Sequence, residues 1–315
     1  MKIVVLDAAT LGEDLDLTPL ESLGEVKVWA ATAPEEVAPR LEEAEVAIIN
    51  KVRLNGTNLG GCKRLRLICL AATGYDNVDT AWCRRAGVGV CNVAGYSTDS
   101  VAQLTAAMAL YLAERLGSYM GAVQDGRYSR GPTANLLTPV YHELRGKTWG
   151  VAGYGRIGKQ VGRIAEALGC RVLAWRRSPA PGENCTDLDT LCRESDILSV
   201  HLPLTGETRG LFSAERLALM KKDCIFINVA RGAVADEAAL AAAVKEGRLG
   251  GLGVDVYSVE PFPETHPFYA IRGLPNVCLT PHMAWGALET RQRCLREIME
   301  NIRAFGRGEK RNRVE

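Results

Sequence analysis

The chain has 315 residues, of which 47% are hydrophobic and 24% charged, and its formal net charge at pH 7 is +1. A chain of this length exceeds the size at which a single hydrophobic core stops growing, so we expect two domains. The near-neutral charge, with no long basic run, argues against nucleic acid or a membrane surface as a partner. The N-terminus lacks the pattern of a signal peptide, and the apolar helical stretch at residues 101–112 is too short to cross a bilayer.

Ten cysteines are spread along the chain, and no two of them form a C-x-x-C pair. Several, such as Cys69 and Cys224, lie inside apolar runs that are typical of buried strands. Buried free thiols in a reducing compartment explain this distribution better than disulfides or a metal site. We therefore expect a cytoplasmic protein without a bound metal.

Short β-branched runs alternate with helical patterns along the chain, which is typical of parallel sheets built from βαβ units. In the first part, strands are predicted near residues 3–7, 26–29, 46–50, 67–71 and 88–91. A long helix is predicted after residues 97–100, whose Ser, Thr and Asp side chains offer an N-cap. In the second part, strands are predicted near residues 149–153, 172–175, 197–200, 225–229, 253–256 and 277–280. The pattern predicts two α/β units in tandem.

A final amphipathic helix is predicted at about residues 287–305, because its apolar residues recur with a period of about 3.5. These residues are Leu288, Leu295, Ile298, Ile302 and Phe305. Such a stripe could pack back on the first part of the chain, which would make the first domain discontinuous.

Gly153, Gly155 and Gly158 form a G-x-G-x-x-G pattern between a predicted strand and a predicted amphipathic helix. The first glycine permits a tight turn, the second lets the backbone approach a pyrophosphate, and the third allows close helix–sheet packing. The helix N-terminus then offers unpaired N–H groups and its positive dipole end to phosphates. A plain glycine turn is the alternative, but the strand before and the helix after favour a dinucleotide-binding site.

Arg176, Arg177 and Ser178 follow the next predicted strand, where an acid is expected if the ribose 2′-hydroxyl of NAD is recognised. Two guanidinium groups and a hydroxyl suit a 2′-phosphate, and we expect no carboxylate nearby to repel it. NADP(H) is therefore favoured as the cofactor. The alternative is a solvated basic turn with the ribose bound by backbone atoms, in which case NAD(H) is used.

Arg231, Glu260 and His282 lie just beyond three predicted strands of the second part, where open α/β sheets bind their ligands. Reduction of a 2-keto acid needs a cation to hold the carboxylate and polarise the carbonyl, and an acid to protonate the new alkoxide. A permanently charged arginine suits the first task and a histidine, which titrates near neutrality, suits the second. A neighbouring glutamate favours the protonated imidazole. Each residue alone has a plainer explanation, but the three together favour catalysis.

The chain resembles the D-isomer-specific 2-hydroxyacid dehydrogenase family from end to end. Beyond the glycine pattern, the resemblance rests on motifs that occur in the order typical of the family and are more specific together than singly. They are Ala72-Thr-Gly-Tyr-Asp-Asn-Val-Asp79, Ser97-Thr-Asp-Ser-Val-Ala-Gln103, the stretch from Ser195 to Thr208, Asn228-Val-Ala-Arg231-Gly232, Gly253-Val-Asp255-Val256, Glu260-Pro261 and Thr280-Pro281-His282.

The resemblance implies roles for individual residues. Arg231, Glu260 and His282 match the catalytic arginine, glutamate and histidine. The implied cofactor contacts are Arg156 and Ile157 at the pyrophosphate, Asp255 near the nicotinamide carboxamide, and Pro203, Thr208 and Ala230 elsewhere along the dinucleotide. The implied substrate contacts are the backbone amides of Thr73 and Gly74 at the carboxylate, with Lys51 and Trp285 bounding the pocket. The remaining histidines are interpreted as a strand-end residue (His201) and loop residues (His142 and His266).

The resemblance also implies a flavodoxin-like substrate domain, residues 1–98 plus 287–315, with a Rossmann-type cofactor domain, residues 99–286, inserted into it. Family members are usually homodimers. The departure is Arg176, where many members have Asp, and this resembles the members that use NADP.

Within the family, Asn50-Lys51-Val52 and His282-Met-Ala-Trp285 are similar to glycerate dehydrogenases, also called hydroxypyruvate reductases. We therefore expect a small 2-keto acid as the substrate, hydroxypyruvate or glyoxylate. D-lactate or a phosphorylated hydroxy acid is an alternative substrate. A dinucleotide-responsive binding or corepressor module on the same fold is the alternative outside enzymes, because a fold does not determine function.

Overall fold

Two parallel sheets, of five and six strands, organise the chain in the computed structural model, which describes residues 1–315. The chain separates into two units, Met1–Ser97 with Trp285–Glu315, and Thr98–Ala284. The predicted fold class, two parallel-sheet α/β domains, is confirmed. No helix in the structure combines the length and the apolar character that a membrane span requires.

The first sheet is formed by residues near the N-terminus, and its strand order is β2-β1-β3-β4-β5. The strands are β1 (Lys2–Val5), β2 (Glu25–Val28), β3 (Val46–Ile49), β4 (Leu67–Leu70) and β5 (Gly89–Cys91). Short helices connect them: α1 (Val37–Leu41), α2 (Gly56–Leu59) and α3 (Thr80–Ala86). The order is that of flavodoxin-like sheets. Every residue of β3 and β4 is buried, as expected for central parallel strands covered on both faces.

The second unit begins with two helices and then alternates strands and helices. The helices are α4 (Thr98–Ala113), α5 (Leu116–Gln124), α6 (Arg156–Ala167), α7 (Leu188–Glu194), α8 (Ala214–Ala218) and α9 (Glu237–Lys245). The strands are β6 (Thr148–Ala152), β7 (Arg171–Trp175), β8 (Ile197–Val200), β9 (Ile225–Asn228), β10 (Gly251–Val254) and β11 (Val277–Leu279). All eleven predicted strands are present in the two sheets, within two residues of the expected bounds.

The second sheet has the order β11-β10-β9-β8-β6-β7, so the chain reverses direction across the sheet at β6. In doubly wound sheets the ligand crevice lies at this reversal, beyond the carboxyl ends of the strands. The Rossmann order would add a further strand outside β7, but that edge carries only an isolated bridge between Ala174 and Cys185. Pro179 and Pro181 precede the bridge, and proline cannot donate to a strand ladder.

The last helix, α10 (Leu288–Gly306), returns to the first sheet. Its buried face shares a core with Ile3, Val5 and Ile48. The members from α10 are Cys294, Leu295, Ile298, Met299 and Ile302. Of the apolar stripe seen in the sequence, Leu295, Ile298 and Ile302 cover the N-terminal sheet, with Phe305 partly buried beside them. Leu288, at the start of the helix, is instead 40% exposed.

Candidate active site

The glycine turn after β6 leaves open space at the start of α6. Gly153 adopts a φ of +100°, and a Cβ there would lie 2.5 Å from the carbonyl oxygen of His201. A Cβ on Gly158 would lie 2.2 Å from the oxygen of Gly153, whereas a Cβ on Gly155 would meet nothing within 4 Å. Two glycines thus permit close packing, and Gly155 keeps its backbone accessible beside the exposed Arg156. This geometry fits a pyrophosphate at the N-terminus of α6.

The basic turn after β7 is paired with carboxylates. Arg176 Nη1 lies 3.0 Å from Glu183 Oε1, and Lys159 Nζ lies 2.9 Å from the same oxygen. Arg177, which is largely exposed, pairs with Glu207 at 3.0 Å. The expectation of no carboxylate near Arg176 is therefore wrong, because a turn of seven residues brings Glu183 back to it.

Glu183 is held as a carboxylate by its neighbours. Hydrogen bonds from Lys159 and from the backbone N–H of Ala180, together with the charge of Arg176, lower the pKa of Glu183 to about 2. Ser178, the third predicted residue of this turn, is exposed.

The loop after β8 is closed by its own hydroxyl groups. Thr208 Oγ1 donates to the carbonyl of Pro203 at 2.6 Å and accepts from the N–H of Thr205 at 2.8 Å. These bonds give the Pro203–Thr208 segment a defined shape. Its contact with the cofactor stays a prediction.

Glu260 and His282, which lie 22 residues apart, are in direct contact. His282 Nδ1 lies 2.6 Å from Glu260 Oε2, and the two side chains are 21% and 28% exposed. The other carboxylate oxygen, Oε1, accepts the backbone N–H of Tyr257 at 3.0 Å, so the carboxylate cannot rotate freely. With Nδ1 facing Glu260, Nε2 is the ring nitrogen suited to proton exchange with a ligand.

A buried carboxylate holds the turn that carries His282. Asp255, at the end of β10, has no solvent exposure. Its oxygens accept the hydroxyl of Thr280 at 2.6 Å and the N–H groups of Met283 and Ala284 at 2.8 and 2.9 Å. Burial raises the pKa of Asp255 against these bonds. His282 itself has a φ of +54°, a conformation that is uncommon outside glycine and is sustained here by the surrounding bonds.

Arg231 lies in a turn that packs against the segment leading to Glu260. Asn228, at the end of β9, donates to the carbonyl of Arg231 at 3.0 Å and accepts the N–H of Ala230 at 3.0 Å. A Cβ on Gly232 would lie 2.1 Å from the carbonyl carbon of Tyr257. Glycine therefore allows the two backbones to touch, which places the arginine turn beside the glutamate segment.

A second acid, whose side chain is 10% exposed, joins these two segments. Glu237, the first residue of α9, accepts the N–H of Ser258 at 2.8 Å and contacts His266 Nε2 at 3.0 Å. His266 Nδ1 accepts the N–H of Phe268 at 3.2 Å, so the ring proton lies on Nε2. His266 does lie between elements, as expected of a loop residue, but its side chain is only 5% exposed.

The predicted substrate residues belong to the first unit. Lys51 follows β3, and Thr73 and Gly74 follow β4, which is its neighbour in the sheet. The carboxyl ends of neighbouring parallel strands lie at one sheet edge, so the two turns are close together. Asp7, at the end of β1, fixes the Lys51 turn by accepting the N–H groups of Asn50 and of the two residues after it.

Thr73 and Trp285 are each held by neighbours within the same unit. Thr73 Oγ1 donates to the carbonyl of Val93 at 2.8 Å, and Asn92 donates to the carbonyl of Thr73 at 2.7 Å. Trp285 packs on the core shared by the sheet and α10, with its ring centroid 6.5 Å from that of Tyr96. Substrate contact by these residues stays a prediction.

Sequence reasoning assigned no role to Asn228, Glu237, Lys159 and Glu183. A weak signal exists for Asn228, which is a polar residue at the end of the apolar run Ile225-Phe-Ile. Glu237 and Glu183 resemble ordinary surface acids in the sequence, and only their tertiary partners distinguish them.

Comparisons with known proteins show the family to which the chain is similar. The model of the family "D-isomer specific 2-hydroxyacid dehydrogenase, NAD binding domain" matches residues 106–284. A glycerate dehydrogenase of Methylorubrum extorquens is 36% identical over 315 residues, covering 100% of this chain and 99% of that protein. A hydroxypyruvate reductase of Blautia hydrogenotrophica is 36% identical over 317 residues, covering 98% of each. The solved acyclic imino acid reductase (Bsp5) in complex with NADPH and D-Arg has a TM-score of 0.88 at 28% identity, covering 100% of both chains.

Proposed function

Because the chain belongs to the D-isomer-specific 2-hydroxyacid dehydrogenase family and is an NAD(P)-dependent oxidoreductase of 2-hydroxy acids, we propose that it reduces hydroxypyruvate or glyoxylate to the corresponding small hydroxy acid. The observation that carries the proposal is the contact between His282 and Glu260, held in place by the buried Asp255. The names of the two relatives support a small substrate of this class.

In this proposal, Arg231 and His282 have separate tasks on the keto acid. The guanidinium of Arg231 binds the carboxylate and polarises the adjacent carbonyl. A nicotinamide dinucleotide held at the glycine turn would supply the hydride for this reduction. His282 Nε2 donates a proton to the carbonyl oxygen, and the carboxylate of Glu260 stabilises the protonated ring before transfer.

The proposed cofactor site begins at the glycine turn. Backbone N–H groups at the start of α6, from Arg156 and Ile157, bind the pyrophosphate. The ribose end is proposed to lie at Arg176, Arg177 and Ser178, with NADP(H) favoured and NAD(H) as the alternative. Further contacts are proposed for Pro203, Thr208, Ala230 and Asp255. The bonds of Asp255 support an indirect role as well, through the histidine turn.

For the substrate, the backbone N–H groups of Thr73 and Gly74 are proposed to hold the carboxylate, and Lys51 and Trp285 to bound the pocket. A small pocket would restrict the enzyme to short keto acids. The KM for the keto acid should then rise as its side chain becomes larger, while the preference between NADPH and NADH stays the same.

A cytoplasmic homodimer is proposed. Leu116, Met120 and Val123 expose apolar surface on α5, and Val123 is 60% exposed. The segment that follows adds exposed apolar side chains at Tyr128, Leu136, Leu137, Val140 and Tyr141. Such a concentration of apolar surface is typical of a protein interface. Sedimentation of the purified protein at several concentrations would test for the dimer.

The ten free cysteines support a reducing compartment.

The test of the activity is a panel of 2-keto acids assayed with NADPH and with NADH. We expect oxidation of the dinucleotide on addition of hydroxypyruvate or glyoxylate, seen as loss of near-ultraviolet absorbance. A higher kcat/KM with pyruvate or a phosphorylated keto acid would replace the proposed substrate. Tight dinucleotide binding with no turnover on any keto acid would contradict the enzyme and favour a binding module.

A further inference from the structure

Three charged side chains from separate segments meet at the end of β7. Glu183 is at the centre, and its side chain is 9% exposed. Oε1 contacts Lys159 at 2.9 Å and Arg176 at 3.0 Å, while Oε2 accepts from Arg176 at 3.2 Å and from the N–H of Ala180 at 2.9 Å. Every contact that Arg176 makes with this carboxylate uses Nη1. The guanidinium therefore keeps its Nε and Nη2 groups for another acceptor.

We propose that Glu183 determines how strongly this protein distinguishes a 2′-phosphorylated dinucleotide from an unphosphorylated one. Its carboxylate acts as an internal counter-charge to Arg176 and Lys159 and thereby limits the affinity for NADP(H). The proposal rests on the proposed function, in that the dinucleotide binds at the glycine turn with its adenosine ribose at the end of β7.

The position of the three residues supports this role. Lys159 lies in the first turn of α6, directly after the glycine pattern, and Arg176 is the first residue after β7. Both cations therefore belong to the two segments that a dinucleotide crosses between its pyrophosphate and its ribose. A carboxylate between them neutralises positive charge that would otherwise attract a phosphate dianion.

Two effects of Glu183 oppose each other, and their sizes decide the expected sign. Repulsion between a carboxylate and a phosphate dianion about 6 Å apart in a water-like dielectric corresponds to roughly a tenfold loss of affinity. Arg176 is 34% exposed, and orientation of it by such a partly exposed ion pair contributes less, at most about fivefold. A glutamine at position 183 would also retain an oxygen acceptor for the arginine and for Ala180. Removal of the charge should therefore strengthen NADPH binding.

The experiment measures dissociation constants directly, by titrating the protein with NADPH and with NADH and following nucleotide fluorescence in the absence of substrate. For Glu183→Gln we expect the Kd of NADPH to fall about tenfold and that of NADH to change less than about twofold. Glu183→Ala removes the acceptor as well as the charge. It should also lower the ratio of the Kd for NADPH to the Kd for NADH.

The matched control is Glu194→Gln. Glu194 Oε2 lies 2.7 Å from Nη2 of Arg171, which is at the opposite end of β7 from Arg176. The two dissociation constants of this variant should equal those of the parent protein. Equal changes for both dinucleotides in Glu183→Gln would mean a purely structural role, and an unchanged or weaker NADPH affinity would overturn the proposal. If the parent protein binds neither dinucleotide, the proposed function itself fails, whatever the variant does.

Discussion

The turns after β11 and β7 both pair a basic side chain with a glutamate, but they are built differently. The histidine turn is held by Asp255, which is fully buried and bonds to backbone N–H groups. In the arginine turn, Glu183 accepts one backbone N–H but its other partners are the side chains of Arg176 and Lys159, and Arg176 remains 34% exposed. Backbone bonds to a buried carboxylate fix geometry, whereas exposed ion pairs contribute little energy and are screened by salt. The comparison indicates a rigid turn at the proposed proton donor and a more adjustable turn at the proposed ribose site.

The largest effect should come from the rigid turn itself. We expect His282→Gln to lower kcat about 10² to 10⁴-fold, the usual contribution of a positioned acid or base. The Kd of the dinucleotide should change little, because the imidazole is proposed to act on the substrate. Single-turnover kinetics at saturating NADPH and hydroxypyruvate would measure the loss. A variant that retains near-normal turnover would remove His282 from the mechanism.

Replacement of Asp255, which holds the turn that carries His282, should have a smaller effect. Asp255→Asn replaces one acceptor oxygen by an NH₂ group that faces N–H donors, which should destabilise the protein by about 1–3 kcal/mol. The kcat should fall as well, because the turn carrying His282 loses its fixed shape. Urea unfolding and steady-state kinetics on the same preparation would separate the two. Full stability and activity in this variant would show that Asp255 does not hold the turn.

The histidine that follows β8 offers a test of how stability depends on pH. Burial lowers the pKa of His201 from 6.5 to about 3, and its Nδ1 is buried without a hydrogen-bond partner. The unfolded chain binds a proton there below pH 6.5 while the folded chain does not, so stability is fully present above that pH and falls as the pH decreases. Between pH 7 and pH 5 the loss should be about 2 kcal/mol.

The control for this pH effect is His201→Gln, which cannot titrate. Its free energy of unfolding in urea should depend less on pH over the same interval than that of the parent protein. The same pH dependence in both proteins would assign the acid sensitivity to other groups.

The smallest expected effect is the different response of the two turns to ionic strength. Raising the ionic strength from about 0.01 to 0.1 M shortens the screening length from about 30 to 10 Å. The ratio of the Kd values for NADPH and NADH should therefore shift several-fold, while kcat at saturating substrates stays within about twofold. A salt-sensitive kcat with a constant Kd ratio would reverse the assignment of rigid and adjustable turns.

Local sequence patterns were sufficient for the elements and for most candidate residues. The strands, the glycine turn and the positions of Arg231, Glu260 and His282 beyond strand ends follow from periodicity and from the family's motifs. The contact between His282 and Glu260 was also expected, although its fixed carboxylate was not. The network of Glu237, Ser258 and His266 could not be predicted, because its members come from a helix start, a loop and a helix cap.

What the sequence by itself determined is the set of βαβ units, because apolar periodicity and glycine spacing are properties of neighbouring residues. The tertiary structure decided which charges meet. Glu183 reaches Arg176 and Lys159 only because the chain turns back after β7, and Asp255 reaches the His282 turn only because β10 and β11 are paired. Ion pairs and buried hydrogen bonds act over a few ångströms in space, so residues distant in sequence form them only after the sheet order brings them together.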